Sequence, residues 1–259
     1  MSRKERLDRE LVRRGIAEDL DQAFRLIGAG QIWVNGQKAV KADERVRTGD
    51  ELEYREAPRY VSRGGLKLEG ALAQFEIPVK GAICADIGAS TGGFTDCLLQ
   101  SGAVKVYAID VGRGQLHWKL RQDSRVISME RTDIRELIDP TEMVDIATID
   151  ASFISLEQLL PSAVRWLKEG GHLLALVKPQ FEAEASEVGK GGVVRSATIH
   201  RRILQQVVRW FEEGGIGVRG ISASPLLGPK GNREFFIWGS PAHSGNPLEP
   251  MMSALFAAE

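Results

Sequence analysis

Residues 83–95 read Ile-Cys-Ala-Asp-Ile-Gly-Ala-Ser-Thr-Gly-Gly-Phe-Thr, a short apolar run that passes through a glycine-rich turn into a helical pattern. Such a strand–turn–helix junction binds ligands in doubly wound α/β sheets, because its glycines let the backbone approach closely. Asp110 ends the next apolar run, where an acid can accept hydrogen bonds from ribose hydroxyls. Dinucleotide-binding loops have the spacing G-x-G-x-x-G, which Gly-Ala-Ser-Thr-Gly-Gly does not match. The stretch therefore predicts a nucleotide-like ligand that is not a dinucleotide.

The sequence around this junction alternates between strand-like and helix-like segments, which is the pattern of a parallel, doubly wound sheet. The predicted strands are ICADI, VKVYAID, VISME, VDIATID, HLLALV, VRGISAS and FFIWG, with a long helix from about His200 to Phe211. Only a short loop separates the last two strands, which predicts an antiparallel hairpin at one edge. We therefore predict an α/β, Rossmann-like domain with a mostly parallel seven-stranded sheet over residues 61–242 and a tail over residues 243–259.

A smaller α+β module precedes this sheet. Apolar residues recur at helical spacing up to Gly15, and a second helix carries Leu20, Ala23, Phe24 and Ile27 on one face. Asn35-Gly36 is a hairpin turn signal, and a charged strand near Glu51–Tyr54 follows it. Pro58 then interrupts the strand pattern. The predicted module covers residues 1–55 and the predicted linker residues 56–60.

The composition is that of a globular protein of two domains. The 259 residues are 43% hydrophobic, include 28 glycines and carry a formal net charge of -1. No signal segment opens the sequence and no apolar run approaches the roughly 18 residues of a membrane span, so we expect a cytoplasmic monomer without membrane contact. Cys84 and Cys97 lie in segments that resemble buried core and indicate neither a disulfide nor a metal site.

A net charge near zero confines any nucleic-acid contact to a local basic surface. Most of the candidate residues crowd the first helical segment, and charge patterning alone is also compatible with an ordinary solvated helix face. The candidates are Arg3, Lys4, Arg6, Arg9, Arg13, Arg14, Arg25, Lys38 and Arg63.

The N-terminal module resembles the S4 domain of ribosomal protein S4 and of several RNA-modifying enzymes. The resemblance rests on RLDRELVRRG (6–15), AFRLIGAGQIWVNGQ (23–37) and VRTGDELEY (46–54). It implies an RNA-binding module whose basic side chains contact phosphates and position the RNA without reading its sequence.

An acid ahead of a G-x-x-x-G-G loop resembles motif I of S-adenosylmethionine methyltransferases. Carboxylates suit this ligand because its sulfonium and amino groups are cationic. The resemblance implies S-adenosyl-L-methionine as cofactor, with Asp110 at the ribose and Asp133, after the third strand, at the adenine amino group; another nucleotide ligand is the alternative. The implied cofactor residues are Asp86, Gly88, Ser90, Thr91, Gly92, Gly93, Phe94, Asp110 and Asp133.

Four ionisable residues precede the first strand or flank later ones: Lys67, Asp150, Lys178 and Glu234. Because ligands of doubly wound sheets bind at the carboxyl ends of the strands, we expect these side chains to converge beside the cofactor. Taken singly, each is compatible with a salt-bridged surface residue.

The order of these four residues resembles the tetrad of the FtsJ-like RNA ribose 2'-O-methyltransferases. With the S4 module, the chain resembles the TlyA family, also called haemolysin A, along almost its whole length. The matching phrases are YVSRGGLKL, DIGASTGGFTDCLLQ, DASFISL, LVKPQFE, GKGGVVR and GNREFF. The resemblance implies methylation of cytidine ribose in 16S and/or 23S ribosomal RNA, with ribosomal subunits as partners. Ser196 departs from the family's aspartate, but serine also caps helices.

The implied chemistry requires a base, because a ribose hydroxyl is a weak acid and a poor nucleophile. We assign Lys178 as the general base, since burial and the neighbouring cation Lys67 would favour its neutral amine. Lys67 then positions the substrate, and Asp150 and Glu234 orient the two amines. Residues 181–197 are predicted to be a mobile lid, with an ordinary surface loop as the alternative.

Several activities fit the sequence less well. Asp150-Ala-Ser-Phe replaces the Asn/Asp-Pro-Pro-aromatic segment of amino methyltransferases, and neither cysteine lies near that loop to support cytosine C5 methylation. Gly189-Lys190 lacks the rest of a phosphate-binding loop. Two other functions stay open: a non-catalytic RNA-binding or ribosome-assembly factor, which loss of cofactor binding would favour, and a haemolysin-type membrane-active protein.

Overall fold

The N-terminal part of the chain forms a small unit with two helices and two short sheets. The computed structural model describes residues 4–56, 58–137, 139–140, 142–241 and 243–257, and the chain divides into two units, Met1–Arg59 and Tyr60–Glu259. The elements of the first unit are β1 (Lys4–Arg6), α1 (Leu7–Arg13), α2 (Leu20–Gly28), β2 (Ile32–Val34), β3 (Gln37–Lys38), β4 (Arg45–Arg47) and β5 (Leu52–Tyr54). Strand β1 pairs with β4, and β2 lies between β3 and β5, all antiparallel.

The turn between β2 and β3 is the hairpin that the sequence predicts. Asn35 and Gly36 have φ values of 50° and 76°, as a two-residue type I′ turn requires. The second helix departs from expectation. Ala23 and Ile27 are buried, but Leu20 and Phe24 are 50% and 67% exposed, because only the Ala23–Ile27 side of α2 joins the small core of this unit.

The second unit contains the predicted seven-stranded sheet. Its strands are β6 (Ile83–Ile87), β7 (Lys105–Asp110), β8 (Val126–Glu130), β9 (Val144–Ile149), β10 (Leu167–Val177), β11 (Gly217–Ala223) and β12 (Phe235–Ser240). Its helices are α3 (Gly64–Gln74), α4 (Gly93–Gln100), α5 (Trp118–Arg121), α6 (Leu156–Arg165), α7 (Pro179–Glu182), α8 (Ala197–Glu213) and α9 (Leu248–Phe256).

The strand order is β11-β12-β10-β9-β6-β7-β8. Strands β10, β9, β6, β7 and β8 run parallel, whereas β12 is antiparallel to both of its neighbours. The predicted fold class and the antiparallel final hairpin are therefore confirmed. This order brings the carboxyl ends of β6, β9 and β10 together with the start of β12, where the site forms.

Two apolar layers cover the faces of the sheet. One contains the inner sides of α6 and α8, with Trp166 and Phe211 almost fully buried. The other contains α3 and α4, with Leu68 and Leu98 fully buried. The sheet is thus a rigid support for the loops at its edge, because both faces are close-packed.

Residues 243–259, for which the sequence gives only a tail, include the helix α9. Its Met252 is fully buried in the layer that holds α8, and helix α9 contacts both α8 and β11. The apolar stretch of this helix is too short to be assigned from periodicity alone. No helix within the described residues is long and apolar enough to cross a membrane.

Candidate active site

The glycine-rich loop after β6 has an unusual backbone conformation. Gly88, Ser90 and Gly92 have φ values of 84°, 49° and 93°, in the left-handed region. A Cβ on Gly88 would lie 2.8 Å from the carbonyl oxygen of Asp150, so a larger residue would clash with the loop after β9. Ser90 tolerates the left-handed conformation while its N–H donates to Asp110 Oδ2 at 2.8 Å. The two loops are therefore in close contact, and the backbone strain lies at the edge of the site.

The acids that the sequence assigns to the cofactor occupy three different environments. Asp110 Oδ1 accepts the N–H of Gly112 at 2.6 Å, so this carboxylate joins the glycine-rich loop to the end of β7. The Asp133 carboxylate is bound by the Arg135 guanidinium at 2.6 Å, and this hydrogen bond lowers the pKa of Asp133. Neither acid is among the residues that line the cavity described below, so their contact with a cofactor stays a prediction.

Asp86 is fully buried beneath the loop. Its carboxylate accepts hydrogen bonds from Thr95 Oγ1 at 2.6 Å and Thr148 Oγ1 at 3.2 Å. Burial, reinforced by the negative charge of Asp150, raises the pKa of Asp86 to about 7. The structure therefore places Asp86 in the support of the loop and not in the cavity wall, and a direct contact with the cofactor stays a prediction.

A cavity of about 640 Å³ opens above the carboxyl edge of the sheet. Its wall includes all four residues of the predicted tetrad, Lys67, Asp150, Lys178 and Glu234. The same wall includes most of the glycine-rich loop: Gly88, Ala89, Ser90, Thr91, Gly93 and Phe94. The structure thus brings the predicted tetrad and part of the glycine-rich loop to one cavity, whereas Asp86, Gly92, Asp110 and Asp133 are not in its wall.

Two ion pairs organise the tetrad. Lys67 Nζ lies 2.6 Å from Glu234 Oε2, and their side chains are 9% and 0% exposed. Glu234 Oε1 lies against Gly228, where a Cβ would stand 1.9 Å away, so the loop before β12 leaves room only for glycine. A pair this buried must keep both partners, because loss of either one leaves an uncompensated charge.

The second pair joins Lys178, at the end of β10, to Asp150, at the end of β9. Their Nζ and Oδ1 atoms are 2.7 Å apart. Lys178 Nζ also donates to Ser152 Oγ at 2.8 Å. Sequence reasoning missed Ser152, although its position two residues after Asp150 was a usable signal. These two contacts fix the position of the amine.

An exposed aromatic ring stands at the cavity wall, and sequence reasoning did not assign it. Phe153 is 89% exposed and has a φ of 65°, which is rare for a bulky residue. Its ring centroid lies 5.0 Å from that of Phe181, which also lines the cavity. An apolar side chain held in water by a strained backbone indicates a contact surface for a ligand.

The predicted lid is bound at its C-terminal end. Asn232 Oδ1 accepts the N–H of Val194 at 3.1 Å, and its Nδ2 donates to the carbonyl of Gly192 at 2.8 Å. The His200 ring bonds the Val194 carbonyl at 3.0 Å. Ser196 caps α8 through its hydroxyl, as expected. Val188 and Gly192 line the cavity, so the segment lies beside it, while its mobility stays a prediction.

The predicted RNA-binding residues divide into bound and exposed groups. Arg6 pairs with Asp8, while Arg13 and Arg14 pair with Glu10. Arg14 also donates to the carbonyls of Thr48 and Asp50, so it has a structural role. The exposed candidates are Lys4, Arg9, Arg25, Lys38 and Arg63, of which Arg63 lines the cavity; Arg3 lies outside the described residues.

The chain is similar to several known proteins. A family model described as FtsJ-like methyltransferase matches residues 60–240, and one described as S4 domain matches residues 5–52. "Putative rRNA methyltransferase YqxC" of Bacillus subtilis is 47% identical, over 95% of this chain and 90% of its own length. "16S/23S rRNA (cytidine-2'-O)-methyltransferase TlyA" of Mycobacterium tuberculosis is 46% identical, over 92% of this chain and 90% of its own.

Two further similarities carry a different name. "Hemolysin A" of Brachyspira hyodysenteriae is 41% identical, over 89% of this chain and 97% of its own. A solved structure described as "Putative hemolysin from Streptococcus thermophilus" is 43% identical, with a TM-score of 0.75, and the match covers 100% of this chain and 96% of that one.

Proposed function

Because the chain belongs to the FtsJ-like methyltransferase family and carries an S4 domain, we propose that it methylates the ribose 2'-hydroxyl of cytidine in ribosomal RNA, using S-adenosyl-L-methionine. The observation that carries the proposal is the meeting of two ion pairs, Lys67–Glu234 and Lys178–Asp150, in one cavity with the glycine-rich loop. The choice of cytidine rests on the relative named as a cytidine-2'-O-methyltransferase. The proposal places the protein in the cytoplasm, where ribosomal subunits are.

The residues present fit this cofactor. The cavity volume of about 640 Å³ is in the range of small-molecule sites. Its wall combines the backbone of Ala89, Ser90 and Thr91 with the carboxylate of Asp150, and buried Asp86 adds a second carboxyl beneath. Carboxylates suit a cationic ligand. When bound, S-adenosylmethionine supplies an electrophilic methyl group on its sulfonium. Asp110, at the end of β7, is the residue we assign to its ribose.

The tetrad then has to hold the acceptor hydroxyl and take its proton. Lys178 is the base in this proposal, since Asp150 and Ser152 fix its amine and it lines the cavity. Lys67 positions the substrate, and Glu234 holds Lys67 in turn. Each lysine has a carboxylate partner, and Lys178 must be a neutral amine when it takes the proton, after which Asp150 compensates the ammonium that forms.

The features that would contact the methyl acceptor suit a nucleotide within a polymer. The exposed ring of Phe153 offers a stacking surface for a base, and aromatic stacking is how proteins commonly hold unpaired RNA bases. The S4 domain adds exposed cations such as Arg9 and Arg25, which can contact phosphates at other points of a folded RNA.

The test is transfer of labelled methyl groups from S-adenosylmethionine to unmethylated ribosomal subunits. We expect the parent protein to label the RNA. The rate of Lys178→Ala should be lower by at least about a hundredfold, which is the usual contribution of a general base to the rate. Cofactor binding by calorimetry is the control, and it should be unchanged in the variant. If the parent binds the cofactor but labels neither subunit, the protein is an RNA-binding factor and not this enzyme.

A further inference from the structure

Lys230 stands in a backbone conformation that glycine would adopt at lower cost. It lies in the 3-10 turn Pro229–Gly231 before β12, with φ 59° and ψ 14°. Only a few per cent of residues other than glycine have a positive φ, and long side chains are not among the enriched types. The next residue, Gly231, has a φ of 85°. A lysine therefore occupies a strained position in a loop that already contains glycine.

The loop that holds Lys230 is fixed to the protein by a buried amide. Asn232 is 2% exposed and donates to the carbonyls of Gly192 at 2.8 Å and Pro229 at 3.3 Å. The Asn232 carbonyl accepts the N–H of Gly228 at 2.8 Å. The backbone beneath Lys230 is thus well determined. Its side chain is exposed and lines the cavity, with Nζ 4.0 Å from where a Cβ on Gly192 would stand.

Lys230 differs from the other two lysines of the cavity in its ion pairing within the described residues. Lys67 and Lys178, which line the same cavity, are paired with Glu234 and Asp150. Lys230 has no ion-pair or hydrogen-bond partner for its amine in the ranges that the structure describes. An exposed lysine beside a site whose other lysines are neutralised is available to an anionic group of a ligand.

The strand order places Lys230, like Glu234 of the tetrad, at the start of β12 and away from the glycine-rich loop. That loop follows β6, Asp150 follows β9, Lys178 follows β10, and the loop with Lys230 precedes β12. With strands about 4.8 Å apart, the ends of β6 and β12 are separated by roughly 14 Å. In-line transfer requires the methyl carbon to lie between the sulfonium sulfur and the attacking hydroxyl oxygen. With the methyl donor at the glycine-rich loop, as the proposed function has it, the acceptor then enters from the β12 side, where Lys230 lies.

We propose that Lys230 binds a backbone phosphate of the acceptor RNA next to the reacting ribose. A 2'-hydroxyl is adjacent to its own 3'-phosphate, so any RNA that places the hydroxyl at Lys178 also brings a phosphate to this side of the cavity. The ammonium donates to a phosphate oxygen and contributes affinity and position without reading sequence. This inference rests on the proposed function, because it takes RNA as the acceptor.

The test measures equilibrium binding of unmethylated ribosomal subunits and the KM for methyl transfer across a series of salt concentrations. The variants are Lys230→Ala, Lys230→Gly and Lys230→Arg. Lys80→Ala is the matched control, since Lys80 is exposed and lines a depression near the opposite ends of the strands.

We expect Lys230→Ala and Lys230→Gly to weaken RNA binding about three- to tenfold, and to reduce the slope of log affinity against log salt by about 0.7, the value for one phosphate of a single strand. The kcat should stay close to that of the parent. Lys230→Arg should retain both affinity and slope, and Lys80→Ala should match the parent. Lys230→Gly should be at least as stable as the parent, because glycine relieves the strain.

An unchanged salt slope in Lys230→Ala would overturn the proposal. So would a loss of affinity for S-adenosylmethionine alone, since Lys230 would then pair with the cofactor carboxylate. The proposed function is tested separately: a parent that binds the subunits but transfers no methyl group refutes the enzymatic activity, while the slope still tests Lys230.

Discussion

Asp86 supports the glycine-rich loop from beneath, and a direct contact of its carboxyl with the cofactor stays a prediction. The acid ahead of the glycine-rich loop is a strong signal, and the loop lies at the cavity as expected. The carboxyl itself is fully buried and bonded to Thr95 and Thr148. Sequence spacing predicts which residues surround a loop, but it does not predict which side of the loop a side chain lies on.

The burial of Asp86 gives a pH prediction for stability. Its pKa is raised to about 7 in the folded protein, above the ordinary 3.8, so the folded state holds the proton more tightly. The free energy of unfolding should fall by about 1.4 kcal/mol per pH unit as pH rises between these two values, and level off above 7. Asp86→Asn removes this loss, and it should be more stable than the parent by on the order of a few kcal/mol at pH 8.

Urea unfolding of both proteins from pH 5 to 8 measures the difference. Asp145→Asn is the control. The N–H of Ile83 and the Lys168 ammonium lower the pKa of Asp145 despite partial burial, so this variant should be less stable than the parent by an amount that does not change from pH 5 to 8. A gap between Asp86→Asn and the parent that does not grow with pH would show that Asp86 is ionised throughout.

Phe153 gives a second prediction at this scale. If its exposed ring stacks on the acceptor base, Phe153→Ala should raise the KM for RNA about tenfold, since stacking contributes about 1–3 kcal/mol per base. Affinity for S-adenosylmethionine should not change. Trp118→Ala is the matched control, because Trp118 is 66% exposed but does not line the cavity. Equal effects of the two substitutions would refute a specific role for Phe153.

At the scale of elements, helix α1 shows what charge patterning leaves out. The cluster of arginines is visible in the sequence, but Glu10, 2% exposed, binds two of them. The hydrogen bonds from Arg13 and Arg14 lower the pKa of Glu10 to about 2. A count of basic residues therefore does not show which arginines are already paired, because acids at i−3 and i−4 are partners of the arginines.

Glu10→Gln should destabilise the N-terminal unit by about 1–3 kcal/mol, the cost of losing a charged hydrogen-bond partner in a buried position. The folded pKa of about 2 is below the ordinary 4.5, so this stability is present above pH 4.5 and is lost as pH falls through 2. Amide hydrogen exchange of α1 at pH 7 and near pH 3 measures it. Protection that is equal in both proteins at pH 7 would contradict the assignment.

The strands of the sheet could be predicted from the sequence, whereas the contacts that hold the lid could not. Apolar runs predict the strands that form the sheet, and the short loop between the last two predicts their hairpin. The clamp of Asn232 on Gly192 and Val194 was not predictable, because it joins segments nearly 40 residues apart through one amide. Helix α9 was not predicted, because its nine residues are too few to show a helical period of apolar positions.

At the scale of the whole molecule, the two units have different expected tasks. The second contains the cavity and the tetrad, whereas the first carries exposed cations. A protein of residues 60–259 should bind S-adenosylmethionine like the full chain, but its KM for ribosomal subunits should rise at least about tenfold, with a shallower dependence on salt. An unchanged KM would show that the S4 domain does not contribute to substrate binding.

The central claim is that the tetrad methylates a ribose hydroxyl, and the most direct test is the chemical position of the methyl group. Ribosomal RNA labelled by the parent protein is hydrolysed in alkali, which cleaves only beside a free 2'-hydroxyl. We predict that the label appears in alkali-resistant dinucleotides that begin with cytidine. Label in mononucleotides would place the methyl group on a base and would contradict the account.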